Sequence, residues 1–172
     1  MNKTASPASV PWSVPVAVED IPDSGLHIEI EAPAATRAAL AKLAAVRELP
    51  ELAAVFDLTR QGDGLHVAGQ VSGRVGQNCV VTLEPIESPV DEAVDLRFAP
   101  GAKAPKTPED PEPLVGGTVD LGAIATEFLI LGIDPYPRKA DAKFIPPKSE
   151  DGGTHPFSGL QALKKRLGGS QP

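Results

Sequence analysis

The sequence predicts an α+β fold, in which a largely antiparallel sheet of about five to six strands carries two packed helices, a proline-rich acidic loop and a short C-terminal helix. Short stretches of alternating apolar and polar residues, separated by turn residues, are typical of antiparallel strands with one buried face. Two longer stretches repeat their apolar residues at helical spacing. With 172 residues, the chain is long enough for one domain with appendages.

The composition favours a cytoplasmic protein that does not contact a membrane. The longest purely apolar run covers residues 128–131, far short of the roughly 20 residues that span a bilayer. Residues 1–7 lack the apolar core of a secretion signal. The single cysteine excludes an internal disulfide and fits a reducing compartment.

The charges are distributed unevenly along the chain. Residues 1–137 contain 9 basic and 20 acidic side chains, whereas residues 138–172 contain 7 basic and 3 acidic ones. Because phosphate contacts need cations, any direct contact with RNA is expected in the C-terminal part. A basic protein partner suits the acidic body better.

We divide the chain into a flexible N-terminus (1–11), a single α+β domain (12–138), a linker (139–154) and a basic amphipathic tail (155–172). Alternation predicts strands at residues 14–18 and 26–31, the first at a sheet edge because it contains Pro15. A helix is predicted over residues 34–46.

The helix is expected to start after Pro33 and its segment to end at Pro50, before a strand over residues 52–58. A glycine-spaced strand follows at residues 65–75, where Gly69 and Gly73 indicate a bulge, a bend or a close approach of another backbone.

The strongest strand pattern runs from Gln77 to Pro85, since Cys79, Val81 and Leu83 alternate with Asn78, Val80 and Thr82. Proline cannot donate to a strand ladder, so Pro85 is expected to end this strand. The next strand is predicted over residues 90–98, with Glu92 interrupting its apolar row. These strands form the predicted nucleus of the fold.

The proline-rich acidic loop covers residues 99–117 and is expected to be mobile. Asp120 is a good N-cap for a helix that runs to about Leu131, and Gly132 stands where a left-handed C-cap belongs. We expect Arg138 to pair with Glu127 or Asp134 and so to fix the exit from this helix.

The tail combines an apolar stripe with a basic cluster. Phe157, Leu160, Leu163 and Leu167 share one face of a short helix, and residues 164–166 add three cations at its end. Such a short helix is not stable alone in water, so it is expected to dock on the body or on a partner.

No catalytic or metal-binding arrangement emerges from the sequence, and we predict neither a cofactor nor an enzymatic activity. His27, His66 and His155 do not show metal-ligand spacing. Cys79 lacks a basic neighbour and is expected to be a buried, inert thiol on a strand face.

Three blocks of the chain, residues 79–85, 120–138 and 155–166, carry a resemblance to a known family. In this order they resemble the YceD family, bacterial and plastid proteins linked to the accumulation of large-subunit ribosomal RNA, and the likeness is closest to its alphaproteobacterial branch. The resemblance extends from about Trp12 to Arg166. The residues that match its motifs are Cys79, Thr82, Leu83, Glu84, Pro85, Asp120, Glu127, Tyr136 and Pro137. Many family members carry a second cysteine where this chain has Thr82, so a thiolate metal site or redox pair is not expected.

The resemblance implies a non-enzymatic ribosome biogenesis factor that acts on a ribosomal precursor particle. The expected partner is a basic ribosomal protein, an assembly factor or, through the tail, ribosomal RNA. The candidate contact residues are Arg138, Phe157, Leu160, Lys164, Lys165 and Arg166. The oligomeric state is left open.

Two alternatives remain at this point. The sheet surface could bind RNA directly, through Arg60, Arg74 and Arg97. Less favoured is a hydrolase that processes ribosomal RNA, because it would need a carboxylate cluster that the sequence does not supply.

Overall fold

A computed structural model describes residues 11–107, 110–144 and 160. The chain divides into two compact units, Met1–Ala142 and Lys143–Pro172. All the strands and helices below belong to the first unit. The predicted division into domain, linker and tail stays a prediction.

The described part contains seven strands and two α-helices. In chain order they are β1 (Pro15–Ala17), β2 (Leu26–Glu31), α1 (Ala34–Leu43), β3 (Glu48–Gln61), β4 (Gly64–Asn78), β5 (Pro85–Ala99), β6 (Glu112–Pro113), β7 (Thr118–Asp120) and α2 (Leu121–Gly132).

Five strands form the main sheet in the order β2-β3-β4-β5-β6. Its first four strands pair antiparallel, and only the two-residue β6 joins parallel to β5. Strands β1 and β7 pair separately as a small antiparallel sheet. The predicted α+β class with two helices and a largely antiparallel sheet is therefore confirmed, but the first strand lies outside the main sheet.

The core lies on one face of the main sheet. Phe56, Leu58 and Val67 are fully or almost fully buried there. Leu40 of α1 and Leu129 of α2 belong to the same apolar cluster, so both helices contribute to this side. This leaves the opposite side of the sheet to polar residues.

The two strand glycines let large neighbours fill the inner face. Gly69 lies opposite Phe56 in the register and Gly73 opposite Leu52. A Cβ on Gly69 would overlap the backbone carbonyl oxygen of Val55 and lie 2.9 Å from Cδ1 of Phe56, and one on Gly73 would lie 2.8 Å from the carbonyl oxygen of Glu51. The expected close approach of another backbone is confirmed at both positions.

The predicted strand over residues 77–85 is wrong. β4 runs without a break to Asn78, and Pro85 begins β5 instead of ending a strand, because Asn78 and Pro85 pair directly across the ladder. Residues 79–84 form the connecting turn, in which the N–H of Leu83 donates to the carbonyl of Cys79 at 2.9 Å. The alternation at 79–83 therefore belongs to a loop.

The first helix ends three residues earlier than predicted. Ala45 adopts a left-handed φ of 54°, and the N–H of Val46 donates to the carbonyl of Ala41 at 3.0 Å. This is a Schellman ending, in which alanine takes the place that glycine usually occupies. Pro50 lies inside β3, next to a register shift between Glu48 and Glu51 that accommodates it.

The left-handed cap predicted at Gly132 is also wrong, because Gly132 is the last residue of α2 and its φ is not positive. A Cβ at this position would lie 2.6 Å from side-chain carbons of both Val90 and Glu92. The missing side chain thus lets the helix end approach β5.

Candidate functional site

The turn between β4 and β5, residues 79–84, is held by its own backbone and is here called the Cys79 turn. The N–H of Cys79 donates to the carbonyl of Glu84 at 2.8 Å. Leu83 has a left-handed φ of 60° and a side chain that is 75% exposed. A leucine rarely adopts this conformation, which costs about 1–2 kcal/mol.

The Cys79 thiol is fully buried at the centre of this turn. Its Sγ accepts the backbone N–H of Lys139 at 3.4 Å and that of Thr82 at 3.5 Å. These donors, that of Lys139 first, stabilise the thiolate and lower the pKa of Cys79 to about 6. The predicted buried thiol is confirmed, but it lies in a turn and not on a strand.

The chain that follows α2 packs directly on the Cys79 turn. The N–H of Val80 donates to the carbonyl of Pro137 at 2.9 Å. Nζ of Lys139 lies 2.9 Å from Oε2 of Glu84, and this contact lowers the pKa of Glu84. Two sequence blocks that lie more than 50 residues apart thus meet in one junction.

Asp120 lies at the other end of α2 and fixes its start. Its carboxylate accepts the N–H of Ala123 at 3.1 Å, as the sequence predicts for an N-cap. It also accepts the hydroxyl of Ser13 at 2.6 Å and the N–H of Val14 at 2.8 Å. Burial alone would raise the pKa of Asp120, but these hydrogen bonds outweigh it and lower the pKa.

The expected lock between Arg138 and α2 is wrong for the part of the chain that the structure describes. Arg138 and Glu127 are exposed, and no hydrogen bond or ion pair joins Arg138 to Glu127 or Asp134. The carboxylate of Asp134 instead accepts the N–H of Tyr136 at 2.8 Å. The tyrosine side chain itself is 70% exposed.

Most of the predicted tail contacts lie outside the described residues. This applies to Phe157, Lys164, Lys165 and Arg166. Leu160 is described as helical and exposed.

A larger surface is formed by the side of the main sheet that points away from the core, here called the open face. It is made of alternate residues on four neighbouring strands. These residues are His27, Glu29 and Glu31 of β2; Glu51, Ala53, Val55, Asp57 and Thr59 of β3; His66, Ala68, Gln70, Ser72 and Arg74 of β4; and Glu87, Pro89, Asp91, Ala93, Asp95 and Arg97 of β5.

The open face is strongly acidic. It contains seven carboxylates and two arginines, and one of these arginines is already paired. NH1 of Arg74 lies 2.6 Å from Glu87 and its Nε lies 3.3 Å from Glu51. The carboxylates of this face therefore outnumber its guanidinium groups, of which Arg97 is the second.

Two histidines on the open face are bonded to carboxylates. Nδ1 of His27 lies 2.7 Å from Asp57, and Nε2 of His66 lies 2.8 Å from Asp95. Asp57, and to a lesser degree Glu29, raises the pKa of His27. Both histidines lie on the polar sides of their strands, as the sequence predicts.

The sequence offered the sheet surface only as an alternative RNA-binding site, and it did not indicate an acidic face that suits a basic protein. The alternation of each strand gave the outward positions, but the order of the strands was needed to bring their carboxylates together.

Two further findings concern metal binding and membrane insertion. Among the described residues, no group of three or more His, Cys, Asp and Glu side chains could hold a metal ion. Within the same residues, no helix is long and apolar enough to cross a bilayer.

Comparison with known proteins identifies the family. The family model for the large ribosomal RNA subunit accumulation protein YceD matches residues 67–164, which is more than half of the chain. No curated protein and no solved structure matches this chain. The matched residues include the Cys79 turn, α2 and the segment that packs on the turn. The chain therefore belongs to the YceD family.

Proposed function

We propose that this protein supports the accumulation of large-subunit ribosomal RNA as a recognition factor in the cytoplasm, by binding a basic ribosomal protein or assembly factor on the precursor particle. The observation that carries this proposal is the family match over residues 67–164, since the description of that family names a role in the accumulation of this RNA. The same description names no chemical reaction. We accordingly assign the protein a binding role without catalysis.

The charge of the body favours a basic protein over RNA as its direct partner. Residues 1–137 carry 20 acidic and 9 basic side chains, and an acidic surface repels phosphates until salt screens it. Single-stranded RNA is usually held by aromatic side chains that stack on the bases. The open face carries no Phe, Tyr or Trp, and its two imidazole rings, those of His27 and His66, are bonded to carboxylates.

The direct RNA-binding alternative is not favoured by the positions of its three arginines. Arg74 already contacts Glu51 and Glu87. Arg97 follows Asp95 on the same side of β5, and Arg60 lies outside the set of open-face positions. A filter-binding titration of ribosomal RNA against residues 1–142 at low and high salt tests this alternative, which predicts tight binding that salt abolishes.

In this proposal the basic tail makes the second contact. Residues 138–172 carry 7 basic and 3 acidic side chains, so this part of the chain is suited to an anionic surface of the precursor particle. We assign the contact to Arg138, Phe157, Leu160, Lys164, Lys165 and Arg166. In this contact the cationic side chains would bind phosphates of the particle, and the apolar side chains would pack against its proteins.

Deletion of residues 155–172 tests this division of roles. We expect the shortened chain to keep its unfolding temperature but to leave the precursor fractions of a sucrose gradient. Cells that carry only this form should accumulate less large-subunit ribosomal RNA. Unchanged co-sedimentation and unchanged RNA levels would contradict the role of the tail, and a full-length protein absent from these fractions would contradict the proposed function itself.

A further inference from the structure

We infer that the open face binds an extended, lysine- or arginine-rich segment of the protein partner, laid along β4. This inference rests on the proposed function and names the surface that performs it. Among the elements that the structure describes, both helices contribute to the core on the opposite face of the sheet. The open face itself is left exposed.

The open face is shallow along its middle because small side chains form its floor. Ala68 and Ser72 of β4, Ala53 of β3 and Ala93 of β5 make most of this floor. Gln70 stands between Ala68 and Ser72, where its side-chain amide donates to Asp91. Two depressions of about 470 and 440 Å³ occupy this part of the sheet and share Ser72 and Asp91. A backbone can therefore approach the sheet closely here.

Carboxylates stand on both sides of this floor in two cross-strand rows. In one row, Glu31 and Asp91 flank Ala53 and Ser72, which lie between them in the register. In the other row, Asp57 and Asp95 flank Ala68. Since neighbouring strands are about 4.8 Å apart, the two carboxylates of the second row lie on strands about 10 Å apart.

The spacing of the two rows matches an extended peptide. Asp95 lies four positions after Asp91 on β5, which corresponds to a distance of about 13 Å at the usual rise of a strand. An extended segment repeats its side chains on one side every two residues, so cations four residues apart have the same spacing. Long lysine and arginine side chains can then reach carboxylates on either side of the floor.

Charge complementarity selects this occupant over two others. A second copy of the chain would place two acidic open faces against each other, and RNA would place phosphates against the carboxylates. A basic segment neutralises them. Two carboxylates of this face already have partners, since His66 is bonded to Asp95 and Gln70 to Asp91. Cations of the bound segment would have to replace these partners.

The test measures binding of a labelled peptide of about twelve residues, in which lysine and threonine alternate, to the full chain by fluorescence anisotropy. The open-face variant carries Glu31→Gln, Asp57→Asn, Asp91→Asn and Asp95→Asn. We expect this variant to bind the peptide at least about tenfold more weakly than the unmodified chain. The affinity of the unmodified chain should fall as salt rises.

A matched control separates the surface from the net charge. The variant Glu19→Gln, Asp20→Asn, Asp23→Asn and Asp63→Asn removes the same number of charges from exposed positions outside the open face. It should bind the peptide within about threefold of the unmodified chain. Thermal unfolding of both variants verifies that they are folded.

Three results would overturn the inference; the first two leave the proposed function untouched, and the third would support direct RNA binding by the sheet instead. The first is an equal loss of peptide binding in both variants, and the second is no loss in either. The third is a single-stranded RNA of similar length that binds the unmodified chain tightly and the open-face variant weakly. The proposed function fails by a different observation, namely a full-length protein that does not associate with precursor particles.

Discussion

At the scale of single residues, Cys79 shows how a thiol gains a role without a second cysteine. Thr82, three positions after Cys79, donates its backbone N–H to the sulfur. Lys139 supplies the other N–H from a distant part of the chain. The thiolate therefore acts as a hydrogen-bond acceptor that ties the Cys79 turn to the segment after α2.

We predict that Cys79 ionises with a pKa of about 6 in the folded protein, measurable as the ultraviolet absorbance of its thiolate. Because this pKa is depressed from the ordinary value of 9.0, the stabilisation is complete above that ordinary value and is lost as the pH falls through about 6. The stability difference between the unmodified chain and Cys79→Ala should accordingly grow as the pH rises from 6 to 9. An absorbance midpoint close to 9.0 would contradict this prediction.

Leu83 has an unfavourable backbone conformation, with a φ of 60°, and its side chain is exposed. Asparagine tolerates this region better than leucine does, so Leu83→Asn should raise the free energy of unfolding by about 0.5–1 kcal/mol in urea denaturation. The matched control is Val115→Asn, at a residue that is equally exposed and has no positive φ. If both changes have the same effect, the strain at Leu83 is not the cause.

At the scale of elements, alternation identified most of the sheet but misplaced its central connection. Residues 79–83 alternate as a strand does, yet they form a turn because the register of β4 and β5 brings Asn78 opposite Pro85. The turn is then completed by Pro137 and Lys139, which lie far away in the sequence. A local pattern contains no information about either contact.

The spacing of glycines predicted the structure more reliably than alternation did, because these glycines are required by contacts within the sheet. Gly69→Ala should destabilise the protein by about 1–3 kcal/mol, since the added Cβ overlaps the neighbouring strand. That atom would lie 2.9 Å from Cδ1 of Phe56. Chemical denaturation gives the free energy, and Ser72→Ala, on the exposed side of the same strand, should change it by less than about 0.5 kcal/mol. Equal stabilities of the Gly69→Ala variant and the unmodified chain would show that β3 can move away.

At the scale of the whole molecule, the charge split was readable from the sequence, but the clustering of carboxylates on one face of the sheet was not. Counting residues separates an acidic body from a basic C-terminal part. The position of that acidity depends on the strand order β2-β3-β4-β5, which places carboxylates on both sides of β4. Strand order is a property of long-range pairing, so the alternation of single strands could not provide it.

We propose that recognition of a basic protein, and not of RNA alone, connects this acidic body to the large ribosomal subunit. The most direct measurement is affinity purification of the intact protein from cells, with half of each lysate treated with ribonuclease and the retained proteins identified by mass spectrometry. The account predicts that a basic large-subunit protein or assembly factor is retained in both halves, and that the open-face variant loses it. Loss of every specific partner after ribonuclease treatment, with only RNA bound before it, would contradict the claim.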